Sequence, residues 1–290
     1  MGNIATSIAE QIEVLESRGM IFDLEQPKVD EILLDVGYHR LGFYWHPFEI
    51  DETHNFIQGT KFSNVVSLYY LDVDLRNILL KSLTRIEINF RTKLVYLVSN
   101  KYKSSPTWFI DPIIIGGQFI NDFHKIYNPS FKKNHKAIKF HHTKYINDKY
   151  APAWKTLEFF TFGASLRVFN ALKEDAIKKD ISSCYDIENL KKFRNLMETM
   201  VYVRNACAHG DVLFDLTTPK GISSLPGITF NNNNRHSIDS SIKIITHFLD
   251  KISSNRKNEL LKQIEELFVE YKDNLILCKV IEEKTGFMFQ

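Results

Sequence analysis

The chain has 290 residues, 44% hydrophobic and 25% charged, with a net charge of +2. Those values suit a globular protein with a full core and exclude bulk disorder. No run of about 18 apolar residues exists, so no membrane span is expected. The three scattered cysteines, Cys184, Cys207 and Cys278, suit reduced thiols in a cytoplasmic protein better than disulfides or a zinc knuckle.

The N-terminus has no basic region followed by an apolar stretch, so a secretory signal is not expected. "MGNIAT" meets the myristoylation pattern only through Gly2 and Thr6, a loose match. Ser7 and Glu10 stand at capping-box spacing ahead of Ile8, Ile12 and Leu15, which predicts a helix ending at Gly19. Pro27 opens a second short helix that stops near Gly37. "GYHRLGFYWHPF", with two glycines and a proline among its aromatics, reads as an ordered connection that wedges the first helices onto the body.

Residues 64 to about 102 carry the strongest pattern. Val65, Leu68, Leu71, Leu75, Leu79, Leu83, Ile86, Phe90, Leu94 and Leu97 recur every three or four positions without glycine or proline. This predicts a helix of about ten turns, on which Glu87 and Arg91 can pair. Pro106, Pro112 and Gly116–Gly117 then break the pattern. Between 120 and 150 seven lysines face only Asp122 and Asp148, a local charge of +5 in a chain whose remainder is −3. Such an excess suits an anionic partner. Tyr127, Phe131, Phe140 and Tyr145 interleave with Lys132, Lys133, Lys136, Lys139 and Lys144, a mixture fitted to phosphate contact and base stacking. A solvated basic loop is the plainer alternative. His124, His135, His141 and His142 in the same region match no zinc spacing, so neither metal nor cofactor is expected.

A helix is predicted to resume after Pro152, with Gly163 as a kink or close-packing point. Another follows, with the stripe Leu190, Phe193, Met197, Met200 and Arg204, and Gly210 ends it. "TPKG", "LPG" and "NNNN" mark a small turn-rich insert, read as a hairpin. Two amphipathic helices follow, on Ile238 to Ile252 and on Leu260 to Tyr271. The whole is an all-α unit over 1–290. It divides into an N-terminal helical region (1–55), a long-helix core (64–253), and a C-terminal helix and tail (254–290).

"VRNACAHG" places Arg204, Asn205 and His209 at the end of that motif helix. An arginine in an apolar stripe faces the core or a partner, and it must be paired if buried. His209 lies about 140° around the helix from Arg204, while Asn205 shares its side. The three cannot converge as a triad, but they can line one wall of a groove. Arg-x4-His alone is weak, since Arg40 and His46 nearly repeat it. A structural alternative has the cluster tie Glu87 or Asp211 into the core.

With its surroundings the segment says more. "GYHRLGFYWHPF", "LYYLDVDLRNILLKSLTRIEINFRTKL", "PAWKTLEFFTFGASLRVF" and "VRNACAH", in that order over roughly 7–215, resemble the Abi family of abortive-infection proteins, AbiD/AbiF type. "RNACAHG" resembles the HEPN ribonuclease motif. Gly210 departs from the pattern, since many relatives carry a second histidine there. The resemblance implies a HEPN-like core and an antiphage RNase, toxic when released, with Arg204, Asn205 and His209 catalytic. Arg76, Glu87 and Arg91 match the family's long-helix pattern and read first as a buried ion-pair network, second as the support that orients Arg204. The resemblance also implies a homodimer that brings two motifs together, and a neutralising RNA or antitoxin. RNA supplies its own 2′-hydroxyl nucleophile, so the chemistry needs no metal. The competing reading is an RNA-binding regulatory module without turnover.

Overall fold

The computed structural model describes residues 4–50 and 52–289; Gly2, and with it the myristoylation pattern, lies outside them. Among the described residues there are fourteen α-helices and no β-strand, so the protein is all-α. Three short helices come first: α1 (Ile8–Ser17), α2 (Gln26–Asp35) and α3 (Tyr38–Trp45). Ser7 caps α1 as the spacing predicts. Its Oγ accepts from the Glu10 N–H at 3.3 Å, and its own N–H donates to Glu10 Oε2 at 2.7 Å.

Helix α3 corrects the expected irregular connection. It runs through the stretch from Tyr38 and continues as a 3-10 turn, His46–Phe48. Leu41, Tyr44, Trp45 and Phe48 are its buried face, at helical spacing that the two glycines obscured. Gly37, at φ +90°, makes the turn that precedes it.

Helix α4 (Phe62–Lys101) has 40 residues and is about 60 Å long at the usual rise. Its stripe from Val65 to Leu94 is fully buried; beyond that, Val98 rather than Leu97 takes the core position. The basic segment forms α5 (Gly117–Ile126), α6 (Pro129–Asn134) and α7 (Lys136–Lys144). The continuous helix expected after Pro152 is two pieces, α8 (Ala153–Thr156) with a 3-10 turn, and α9 (Phe162–Ala171). The backbone turns extended at Phe160, and Thr161 restarts the helix by accepting from the Ala164 N–H at 3.3 Å. Gly163 lies in this first turn, where a Cβ would meet Val201 Cγ1 at 3.5 Å, an ordinary contact that does not demand glycine.

The remaining helices are α10 (Asp175–Ser183), α11 (Leu190–His209), α12 (Ile238–Asp250), α13 (Ser254–Val269) and α14 (Leu275–Thr285). Helices α10 and α14 were not expected. The C-terminal part is accordingly more than one helix and a tail: α14 buries Leu277, Val280 and Ile281, and Phe287 stacks on Phe268 at 4.1 Å. The insert after α11 contains no hairpin. It is irregular chain cross-linked by the Thr218 N–H to the His236 carbonyl (2.9 Å) and the Ile222 N–H to the Arg235 carbonyl (2.8 Å). Helix α4 is the axis against which α3, α9, α10, α11, α12 and α13 pack, and their apolar faces join in one core. No helix among the described residues is long and apolar enough to cross a membrane.

Candidate active site at the end of α11

The stripe that buries Phe193, Met197 and Met200 against α4 brings Arg204 over the same helix. There Arg204 Nε and Nη2 both donate to Glu87 Oε2, at 3.1 and 2.9 Å. The other Glu87 oxygen accepts from Arg91 Nη1 at 3.3 Å, and Arg91 Nη1 also donates to the Phe160 carbonyl at 2.8 Å. Glu87 and Arg91 are each only 10% exposed at the side chain and Arg204 is 21% exposed, so this is a nearly buried Arg–Glu–Arg network. Glu87 thus holds Arg204, and Arg91 holds Glu87 from its other oxygen, a buried ion-pair network.

Arg204 Nη1 also donates to Asn205 Oδ1 at 3.1 Å. This bond engages the amide oxygen of an exposed side chain. A guanidinium has five N–H groups; the ones left on Nη1 and Nη2 remain for a ligand. Asn205 and His209 are both exposed, one turn apart on the same side of α11. His209 makes no side-chain hydrogen bond among the described residues. Cys207 is no competing nucleophile, because burial pushes its thiol up to about 12.

The end of α11 is pinned by residues that sequence reasoning missed. Gly210 is left-handed at φ +74°, its N–H on the Ala206 carbonyl, and its own carbonyl accepts from Arg40 Nη2 at 2.7 Å. Asp72, fully buried on α4, accepts from Tyr44 Oη (2.8 Å) and from the Leu213 and Phe214 N–H groups (2.8 and 2.7 Å). Arg76 does not join Glu87 and Arg91. It stands with Asp72, Nε to Oδ2 at 3.7 Å, and beneath Gly210, where a Cβ would lie 3.4 Å from Nη1. The available signal was a carboxylate in the apolar stripe between Leu71 and Leu75.

Two concavities flank the exposed pair along the chain. Before it, a groove of about 420 Å³ between α9 and α11 is lined by Arg167, Tyr202, Asn205 and Lys220. After it, a cleft of about 480 Å³ reaches Val212 and Asp215. Lys133, Lys136, Lys139 and Lys144 are exposed on α6 and α7, as are Phe140 and Tyr145; Lys132 is half-buried, its Nζ 5.4 Å from the Tyr127 ring centre. Tyr127 and Phe131 instead turn inward. Phe131 packs on Phe160, whose carbonyl holds Arg91, so the basic helices rest on the network that carries Arg204. The four histidines there do not converge: His135 stacks on Phe159, His141 bonds Asp148, His142 bonds Tyr127 and His124 bonds the Asn121 carbonyl. Among the described residues no group of three His, Cys, Asp or Glu side chains could hold a metal ion.

Fold and site together define an all-α protein with a polar Arg-Asn-His face at a helix end, secured by two buried carboxylates on one long helix. The model of the Abi-like protein family matches residues 31–215, well over half of the chain, and the protein belongs to that family. Membership supports an abortive-infection role. No curated protein and no solved structure matches the chain.

Proposed function

We propose that the protein is an abortive-infection endoribonuclease of the HEPN type, acting on RNA in the cytoplasm without a metal. The observation that carries this is the exposed pair Asn205 and His209, one turn apart on α11, with Asn205 bonded to the Arg204 that Glu87 holds. RNA brings its own nucleophile, so the protein has only to move protons and stabilise charge. His209 takes the proton from the 2′-hydroxyl or gives one to the leaving 5′-oxygen. Asn205 Nδ2 and the remaining Arg204 N–H groups donate to the phosphate oxygens as charge develops there. One histidine serves poorly as both acid and base. A homodimer with twofold symmetry would supply the second, on the open side of this face. Lys132, Lys133, Lys136, Lys139 and Lys144 hold the RNA backbone, and a neutralising RNA or antitoxin acts by covering the same face.

One observation favours a second reading. Arg204 is already paired with Glu87, which lowers its worth as a charge clamp and suits an RNA-binding module that does not turn over. The products decide between the two. Cleavage should persist in a chelator and leave 5′-hydroxyl and 2′,3′-cyclic or 3′-phosphate ends. Loss of cutting on chelation, or unchanged cutting of an RNA carrying a 2′-deoxy group at the scissile nucleotide, contradicts the mechanism.

A further inference from the structure

The cleft beyond the motif has walls of a particular chemistry, and at about 480 Å³ it is the size of a small-ligand site. Helix α3 forms one wall. Phe43 projects from it 48% exposed, His39 meets Phe43 edge-on at 5.7 Å, and Tyr38 meets Trp45 edge-on at 4.8 Å. Large aromatic surface left open in a concavity suits a flat, partly apolar ligand. Glu49, just past the 3-10 turn that continues α3, also lines the cleft, with its side chain only 6% exposed. One oxygen, Oε2, holds His46 Nδ1 at 2.7 Å and His54 Nδ1 at 3.1 Å. Each imidazole orients through Nδ1 and keeps Nε2 for another partner. His54 adopts φ +63°, a conformation uncommon for side-chain-bearing residues, and holds it while bonded to Glu49.

Arg18, at the end of α1, adds a guanidinium to the lining. A second lining acid, Asp215, has its charge met by Lys284 at 3.4 Å. The lining also includes Val212, three residues past His209 and so no more than about 11 Å from it.

We propose that this cleft is a nucleotide subsite. It takes one unpaired nucleotide of the RNA that crosses the Asn205–His209 face, with the base against Phe43 and Tyr38 and the phosphate on Arg18, His46 and His54. The inference rests on the RNA reading above but not on cleavage. Aromatic faces accept any base by stacking, and guanidinium and imidazole N–H groups bond phosphate oxygens. A splayed single strand offers both at once; a duplex keeps its bases stacked and paired.

The test titrates a labelled single-stranded RNA onto full-length parent, Phe43→Ala and Arg18→Ala proteins, and follows single-turnover cleavage in each. Phe43→Ala should weaken binding about tenfold or more, and Arg18→Ala should flatten its salt dependence. Both should raise the RNA concentration needed for half-maximal cleavage in step with the weaker binding. Phe43 is half exposed, so the melting temperature should hold and a folding defect can be recognised. Variants that fold and bind within about twofold of the parent overturn the subsite. So does a parent that binds no single-stranded RNA, in which case the RNA reading falls with it. If the parent binds with the expected Phe43 dependence yet cuts nothing, the nuclease reading falls and the subsite stands. If Phe43→Ala instead changes the solution mass while RNA affinity holds, the cleft is a protein interface and the proposal is wrong.

Discussion

Glu87 accepts from two arginines at once, and its removal leaves Arg204 without its counter-charge and Arg91 with only the exposed Glu158, 3.7 Å away. Glu87→Ala should therefore cost about 3–5 kcal/mol and lower the thermal midpoint by several degrees, with Glu87→Gln milder because it keeps an acceptor. Equal midpoints for Glu87→Ala and the parent would remove the network from the account. Part of this cluster was legible in the sequence. Glu87 and Arg91 fell four apart on a certain helix, and Arg204 broke an apolar stripe, so each announced a need for a partner. That the partners were one another depends on how α11 crosses α4, and no spacing within either helix encodes that. Arg76 shows the converse. It lies on the same long helix, yet it serves Asp72 and Gly210 instead.

At the scale of elements, the segment after α11 is held by Asp72 more than by any secondary structure of its own. Burial raises the Asp72 carboxyl above its ordinary value, against the lowering effect of the Tyr44 hydroxyl, the Phe214 and Leu213 N–H groups and Arg76. The folded chain thus binds this proton more tightly than the unfolded chain. Its contribution is full below the unfolded value of 3.8 and is lost as pH rises through the raised folded value. Denaturant midpoints of the parent and Asp72→Asn, compared across that window, should converge toward the variant's favour as pH rises. A difference independent of pH would show that Asp72 titrates alike in both states. The elements themselves were read unevenly for physical reasons. Long uninterrupted periodicity gave α4, α11 and α12. Helix α3 was lost behind two glycines, and α14 behind a short apolar run with little amphipathic contrast. The break at Phe160 arises because Thr161 caps a new helix and leaves the Phe160 carbonyl to Arg91.

Across the whole molecule, the basic helix α6 is linked to the Glu87–Arg91 network through Phe131 and the Phe160 carbonyl. Replacing Lys132, Lys133, Lys136 and Lys139 by Glu should weaken RNA binding across many sequences. It should also flatten the salt dependence by about 0.7 in slope for each lost phosphate contact on a single strand. An unchanged slope in a folded variant would make α6 and α7 merely solvated. The +5 excess of this region was plain in the sequence, whereas its helical form and its seat on the Arg91 network were not, because both come from aromatic packing between distant segments. The most direct test of the central claim uses parent and His209→Ala proteins, incubated with end-labelled single-stranded RNA in excess chelator. His209 is exposed and unbonded, so the variant should melt with the parent and bind RNA equally, while its cleavage rate falls about 10²-fold or more. RNA that stays intact with the parent, or that is cut as fast by folded His209→Ala, would contradict it.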